Sequence, residues 1–364
     1  MITAKSLLPV DVIFTPQWWH YNYGLKFRED FFFDAETRVE SERLMRAFLY
    51  ERFGHLGLGE RDASPRPLIG PVHLAAGFMA SALLGCQVKF SVDGPPQVIP
   101  ADLTDEQVLE FEAPDITKVS PMKELVDMMD KLEREFGYLE GDINWGGVQN
   151  VALDLRGQQL FVDYYDKPDL AVHLLDVVAQ AELHMASFIR AKTGTTSLST
   201  NRIVGSVDPS ISLHSNCSVT MLSNETYEEF LLRYDIYLAD NLQPYGIHYC
   251  GNNMEHVLQG FAKIDKAQFF DVGWGSDVAM CRQALPDAFF SLRLSPVRLR
   301  TISVEEVRQD VEGLLRQAGP VQKAAVCCVN IDYGTPDENV AEIFRVVDEY
   351  RCRELDVAAP SSPK

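Results

Sequence analysis

The chain has 364 residues, 46% of them hydrophobic and 24% charged, with a formal net charge of −20. Those proportions are ordinary for a folded globular protein. The negative charge excludes nucleic acid and anionic membrane surfaces as main partners, since both are bound by Lys/Arg patches. The opening MITAKSLLPVDVIF has no long apolar segment and no small-residue cleavage site, and no apolar run is long enough to span a bilayer. A cytoplasmic enzyme is the expectation. Seven cysteines in such a chain are expected as reduced thiols or metal ligands rather than disulfides.

In chain order, residues 34–53 read as a helix that stops at Gly54. The stretch 87–117, rich in Pro and Asp, reads as an inserted hairpin or loop. GDIN (141–144) reads as a strand, GGVQNVALDLRG as its helix, and KPDLAVHLLDVVAQAELHMASFIRAK as a long helix. From residue 211 the alternation becomes regular. ISLHSNC, YGIHYC, AQFFDVG, AFFSLRL and KAAVCCVNI are apolar, strand-like runs, and each is followed by a helical pattern. Asn224 is the expected N-cap of the first of these helices, Ser303 of the fourth, and Pro336 opens the last. Continuous apolar strands alternating with amphipathic helices predict a parallel sheet covered by helices. Seven or eight such units predict a single-domain α/β fold, a (β/α)8 TIM barrel. A doubly wound sheet is disfavoured because no glycine-rich phosphate loop follows a strand. The expected organisation is an N-terminal extension over 1–60 packed on the barrel, the barrel itself over 61–355, and a disordered tail over 356–364.

In a parallel barrel the chemistry sits at the C-terminal ends of the strands. Reading those positions yields His214 and Cys217, His248 and Cys250, Asp271 and Trp274, and then Cys327, Cys328, Asn330 and Asp332. Thiolate and imidazole are the ligands zinc prefers, and three protein ligands with an open position make a catalytic site. The bland alternative is that these cysteines are buried packing residues. On a strand, Cys327 and Cys328 point to opposite faces, so at most one faces the interior. His214 is a candidate base or ligand, or else a hydrogen-bonded interior residue; Asp271 and Asp332 are candidate catalytic carboxylates that orient a histidine, or else ordinary ion pairs at the barrel mouth. The aromatic residues Trp18, Trp19 and Tyr21, with Asn330, are expected to line the mouth and bind a cofactor. The alternative for the aromatics is packing of an N-terminal arm.

From about Asn144 onward the sequence resembles the uroporphyrinogen decarboxylase superfamily, and within it the corrinoid-linked methyltransferase branch. The resemblance rests on NWGGVQNVALDLRGQQLFVDYYDKPDLAVHLLDVV, CSVTMLSNETYEEFLLRYD, YGIHYCGN and TPDENVAEIFRVV, which occur in the family's order and together span over half the chain. It implies a (β/α)8 barrel. In the branch that methylates a thiol it implies zinc held by H-x-C and a distant cysteine on the last strand. His248 and Cys250 match the first two positions; Cys327 or Cys328 matches the third, with Cys217 as a fourth ligand or a substitute. The implied activity is methyl transfer between a small substrate (a thiol, or a methyl ether, amine or thioether) and the cobalt of a methylcobalamin or other corrinoid on a partner protein. The decarboxylase motif R-Q-A-G-R-Y has no counterpart in TPQWWHYNYGLKFRED, so porphyrinogen decarboxylation is not expected. Two rivals remain. One is a metal-free lyase for a carboxylated substrate, using Arg202, Arg293 or Arg298. The other is a non-catalytic corrinoid or small-molecule binding protein.

Overall fold

A computed structural model describes residues 2–195 and 197–358. Six strands form the central sheet: β1 (Val10–Phe14), β2 (Ser212–Ser215), β3 (Tyr245–His248), β4 (Ala267–Val272), β5 (Phe289–Arg293) and β6 (Ala324–Ile331). Their spatial order is β1-β6-β5-β4-β3-β2, and every pairing is parallel. The strands are buried along nearly their whole length, as sheets covered on both faces must be. Helices α1 (Pro16–Tyr23), α2 (Ala35–Phe53), α3 (Val148–Arg156), α4 (Pro168–Thr193), α5 (Val304–Gln317) and α6 (Asp337–Ala358) are the main covering elements. Their ends follow local chemistry. Thr15 caps α1 by accepting from Trp18 N–H, with Pro16 at the first position; Ser303 and Glu306 form a reciprocal capping box at α5.

The five strands expected after residue 211 all form. The first strand of the sheet was missed: Val10–Phe14 lies inside the segment expected to pack outside the barrel, yet it pairs with β6. Residues 1–60 are thus partly integral to the sheet. Its run VDVIF is short and apolar, the signature of a fully buried strand, but no helix precedes it to mark the alternation.

Among the described residues the parallel sheet has six strands, not eight. Beyond β2 the backbone at 140–147 runs alongside, with Ser215 N–H donating to Gly146 O at 3.2 Å. Glu140 in turn forms one parallel bridge with Leu68. The first of these segments contains GDIN, expected as a strand, which forms no ladder; the segment near Leu68 was not expected as a strand. Their glycines and prolines explain why they stop short of a ladder: Gly141 and Gly146 have positive φ, and Pro67 and Pro71 lack a donor. Close approach also demands glycine there. A Cβ on Gly147 would lie 1.8 Å from Ser215 O.

The stretch 87–117 contains the expected hairpin, Gln87–Lys89 against Gln97–Ile99. Ser223, not Asn224, caps the helix after β2, and a π-helical turn at Tyr227–Leu231 precedes Leu232–Asn241. The last helix continues to Ala358, into the segment expected as a disordered tail, and 359–364 lie outside the described residues. No helix among the described residues is long and apolar enough to cross a membrane.

Candidate metal centre

Cys217, His248 and Cys250 meet at the C-terminal ends of β2 and β3, their ligand atoms all within 4.8 Å of one another. Strand register brings them together. Ser215 is level with His248, and Asn216 N–H continues the ladder by donating to His248 O at 2.8 Å. Two residues past each strand end, Cys217 and Cys250 therefore face each other. A hydrogen bond from the Cys217 thiol, assisted by His248 and Arg293, holds the Cys250 thiol well below the ordinary thiol range; the same pairing, with burial, lifts Cys217.

His248 is held from behind. Its Nδ1 lies 2.5 Å from Asp271 Oδ2, and Asp271 is fully buried on β4 directly across from it. Burial, the largest influence on Asp271, acts to raise it, yet Arg293 and His248 together keep its carboxyl below the usual range. An ionised Asp271 accepts the Nδ1 proton and leaves the Nε2 lone pair outward. Arg293, at the end of β5, donates to that lone pair at 3.2 Å. A metal ion would use the same lone pair. Two thiols, one such imidazole and a carboxylate behind it make a donor set that fits zinc, with a cavity where a fourth ligand would stand.

That cavity has a volume of about 250 Å³ and is lined by Cys217, His248, Cys250 and Arg293, by Thr200 and Ser215, and by a wall from Ala75–Ser81 and α3. Arg293 Nε, Thr200 Oγ1 and Ser215 Oγ are buried without a hydrogen-bond partner among the described residues. Buried polar groups without partners in a cavity point to a polar ligand.

The other expected site residues fall elsewhere. Cys327 faces the interior, between Asn201, Ser291 and Asp271, but lies four positions before the end of β6; there Val329 and Asn330 line the cavity instead. Cys328 points to the opposite face, toward Leu294 O, and burial pushes its thiol up to about 12. Neither belongs to the three-residue cluster. Asp332 is solvent-accessible, accepts from Thr15 Oγ1 at 3.0 Å and pairs with Arg300, and does not line the cavity. Trp18 and Trp19 are fully buried: Trp18 stacks on Phe14 with ring centroids 4.0 Å apart, so the indoles pack α1 onto the sheet rather than lining the mouth. Tyr21 is exposed, and its hydroxyl donates to Asp93. Asn330 has φ of +69° and borders both the cavity and a cleft beside it.

His214 also misses the cavity. Its Nδ1 lies 2.7 Å from Asp235 Oδ1, and Val148 N–H donates to its Nε2 at 3.0 Å, so both ring nitrogens are used. Asp235 further accepts from Tyr227, Tyr245 and Asn216. Sequence reasoning passed over Glu182, which sits within α4, 3.6 Å from His214 Nε2. It is fully buried, and neither carboxylate oxygen has a hydrogen-bond partner among the described residues. Burial pushes its carboxyl up to about 7. One acidic residue in a long apolar helix face was the available signal. Of the arginines considered for a carboxylated substrate, only Arg293 reaches the cavity. Arg202 is paired with Asp11, and Arg298 with Asp310.

No family model and no curated protein matches the chain. Solved structures do. The chain is similar to a methyltransferase from Methanosarcina mazei, with a TM-score of 0.64 and 17% identity, covering 95% of each chain. It also aligns with a B12-independent methionine synthase from Shewanella sp. W3-18-1 in complex with selenomethionine, at a TM-score of 0.49 and 10% identity, over 96% of this chain and 99% of that one. The first likeness shows that the chain shares that protein's α/β fold over nearly its whole length.

Proposed function

We propose that this protein is a cytoplasmic, zinc-dependent methyltransferase of the uroporphyrinogen decarboxylase superfamily's corrinoid-linked branch. It would move a methyl group between a small substrate and the cobalt of a corrinoid carried by a partner protein, on a barrel whose seventh and eighth strands are the segments near Leu68 and Glu140. The observation that carries this reading is the Cys217–His248–Cys250 cluster lining a cavity with Arg293, Thr200 and Ser215. The name of the Methanosarcina mazei structure, a methyltransferase, agrees with it.

Cys217, His248 and Cys250 would hold the ion. Held by two thiolates and a neutral imidazole, zinc would supply stabilisation of a substrate sulfur as thiolate, or Lewis-acid polarisation of a heteroatom. This chain's own residues do the rest. Asp271 fixes the His248 tautomer and aims Nε2 at the cavity. Arg293 places a buried positive charge beside the thiols, with Asp271 3.8 Å away as its counter-ion. Thr200 and Ser215 offer hydroxyls to a bound substrate.

Metal content of the purified protein tests the reading. About one zinc per chain is expected, lost in Cys217→Ser, His248→Ala and Cys250→Ser and kept in Cys327→Ser and Cys328→Ser. Turnover with methylcobalamin as the methyl carrier should disappear with the zinc. Absence of metal after zinc is supplied under reducing conditions would sink the mechanism. Zinc that depends on Cys327 would overturn the ligand assignment.

A further inference from the structure

The cavity carries a second charged group that the metal centre does not use. Asp154, on α3, lines the same space as Cys217 and His248. Ser81 Oγ donates to its Oδ2 at 2.6 Å and fixes the carboxylate against the wall. Among the described residues no Lys, Arg or His forms an ion pair with it, and burial raises its carboxyl with only the Ser81 hydrogen bond opposing. Arg293, the cavity's permanent cation, already has Asp271 as its counter-ion. Filled by zinc, the two thiols and His248 form a neutral centre, because two thiolate charges cancel the ion's. Asp154 is then the negative charge in the cavity without a counter-charge.

We infer that the small substrate of this site bears an ammonium group, bound by the Asp154 carboxylate. The inference rests on the reading of the cavity as the substrate site and adds the substrate's charge. Two further observations agree with it. Phe78 and Val151 supply apolar surface for alkyl or methyl substituents. A volume of about 250 Å³ falls below the roughly 300–1,000 Å³ of drug-sized sites, so the ligand is small. The formal net charge of −20 also concentrates cations over anions around the protein.

Calorimetric titration of the intact protein, with its zinc content measured on the same preparation, reads the charge preference directly. The probes are choline, its carbon analogue in which tert-butyl replaces trimethylammonium, and the carboxylate of that carbon skeleton. All three have nearly the same shape, so differences in Kd report charge. Choline should bind about tenfold tighter than the uncharged analogue, through the coulombic attraction of its cation to a partly buried carboxylate, and tighter still than the carboxylate. Asp154→Asn should erase the preference with zinc content unchanged. Ser81→Ala, which only releases the carboxylate, should reduce it. Equal or tighter binding of the uncharged or carboxylate probe would overturn the inference, as would no detectable binding of any probe or a preference that survives Asp154→Asn. A protein that stays zinc-free after zinc is supplied under reducing conditions, yet prefers choline in a way that Asp154→Asn erases, would overturn the metal reading and leave this one standing.

Discussion

Two histidines stand on neighbouring strands, His214 on β2 and His248 on β3, and their nearest partners are alike. Each has a buried carboxylate at Nδ1, Asp235 for one and Asp271 for the other. The difference lies at Nε2. In His214 that nitrogen accepts Val148 N–H from the start of α3, and the ring stacks on Trp145 with centroids 5.6 Å apart. In His248 it faces two thiols, an arginine and a cavity. A carboxylate–histidine pair is thus a device for fixing a ring. What the far nitrogen meets decides whether the ring serves packing or chemistry.

Substituting each histidine should break the comparison most sharply. His248→Ala should leave no bound zinc and no turnover while the fold survives, because the side chain borders empty space on one side. His214→Ala should do the reverse. It removes a packed ring and a hydrogen bond to a charged group, costing about 3–5 kcal/mol of stability in denaturant titration, with zinc retained. Zinc lost from the His214 variant would show that the two networks act as one.

Next in size is Glu182, beside His214. Its carboxyl titrates at about 7 in the folded chain against an ordinary 4.5, so the folded state binds this proton more tightly than the unfolded state. Its contribution to stability is therefore fully present below about pH 4.5 and is lost as pH rises through about 7. Glu182→Gln should be close to neutral in acid and stabilising by up to about 3 kcal/mol above neutrality. The difference between the two stability–pH curves measures it. A flat difference would mean that His214 and Glu182 share one proton across the whole range.

Much of this was legible in the residues. The five later strands are uninterrupted apolar runs, and the H-x-C at 248–250 marks a strand end because Gly251 follows it. Other features depend on information that one strand does not carry. Cys217 became the third member of the cluster through the register of β2 against β3, whereas the similarity of the last strand to a known pattern pointed to Cys327 or Cys328. Cys217 was already expected as a fourth ligand or a substitute, and the offsets from neighbouring strand ends make it the third, since Cys217 and Cys250 each stand two residues past theirs. Trp18 and Trp19 were ambiguous because an indole suits both a core and a rim. Their place on α1, directly after a buried strand, decides for the core. The segments near Leu68 and Glu140 were harder still, since glycine and proline interrupt the apolar pattern that identifies a strand.

The smallest effect concerns Asp271, and it tests whether this carboxylate acts only through His248. Asp271→Asn keeps the shape, but the asparagine oxygen and nitrogen must choose their neighbours. His248 Nδ1 and Arg293 both approach the same carboxylate oxygen, Oδ2, at 2.5 and 3.8 Å, so the amide oxygen takes that place and keeps both contacts. The tautomer is then unchanged, and what is lost is the negative charge that makes the imidazole a stronger donor to a metal. Loss of a carboxylate behind a metal-bound histidine typically weakens binding by about 10–100-fold. Competition against a zinc chelator should show that drop, with the same three residues still required for the zinc that remains. Asp271→Glu, which restores the charge one methylene further out, should recover part of it. Unchanged zinc affinity in Asp271→Asn would mean that the hydrogen bond alone suffices for His248 and that the negative charge serves Arg293 instead.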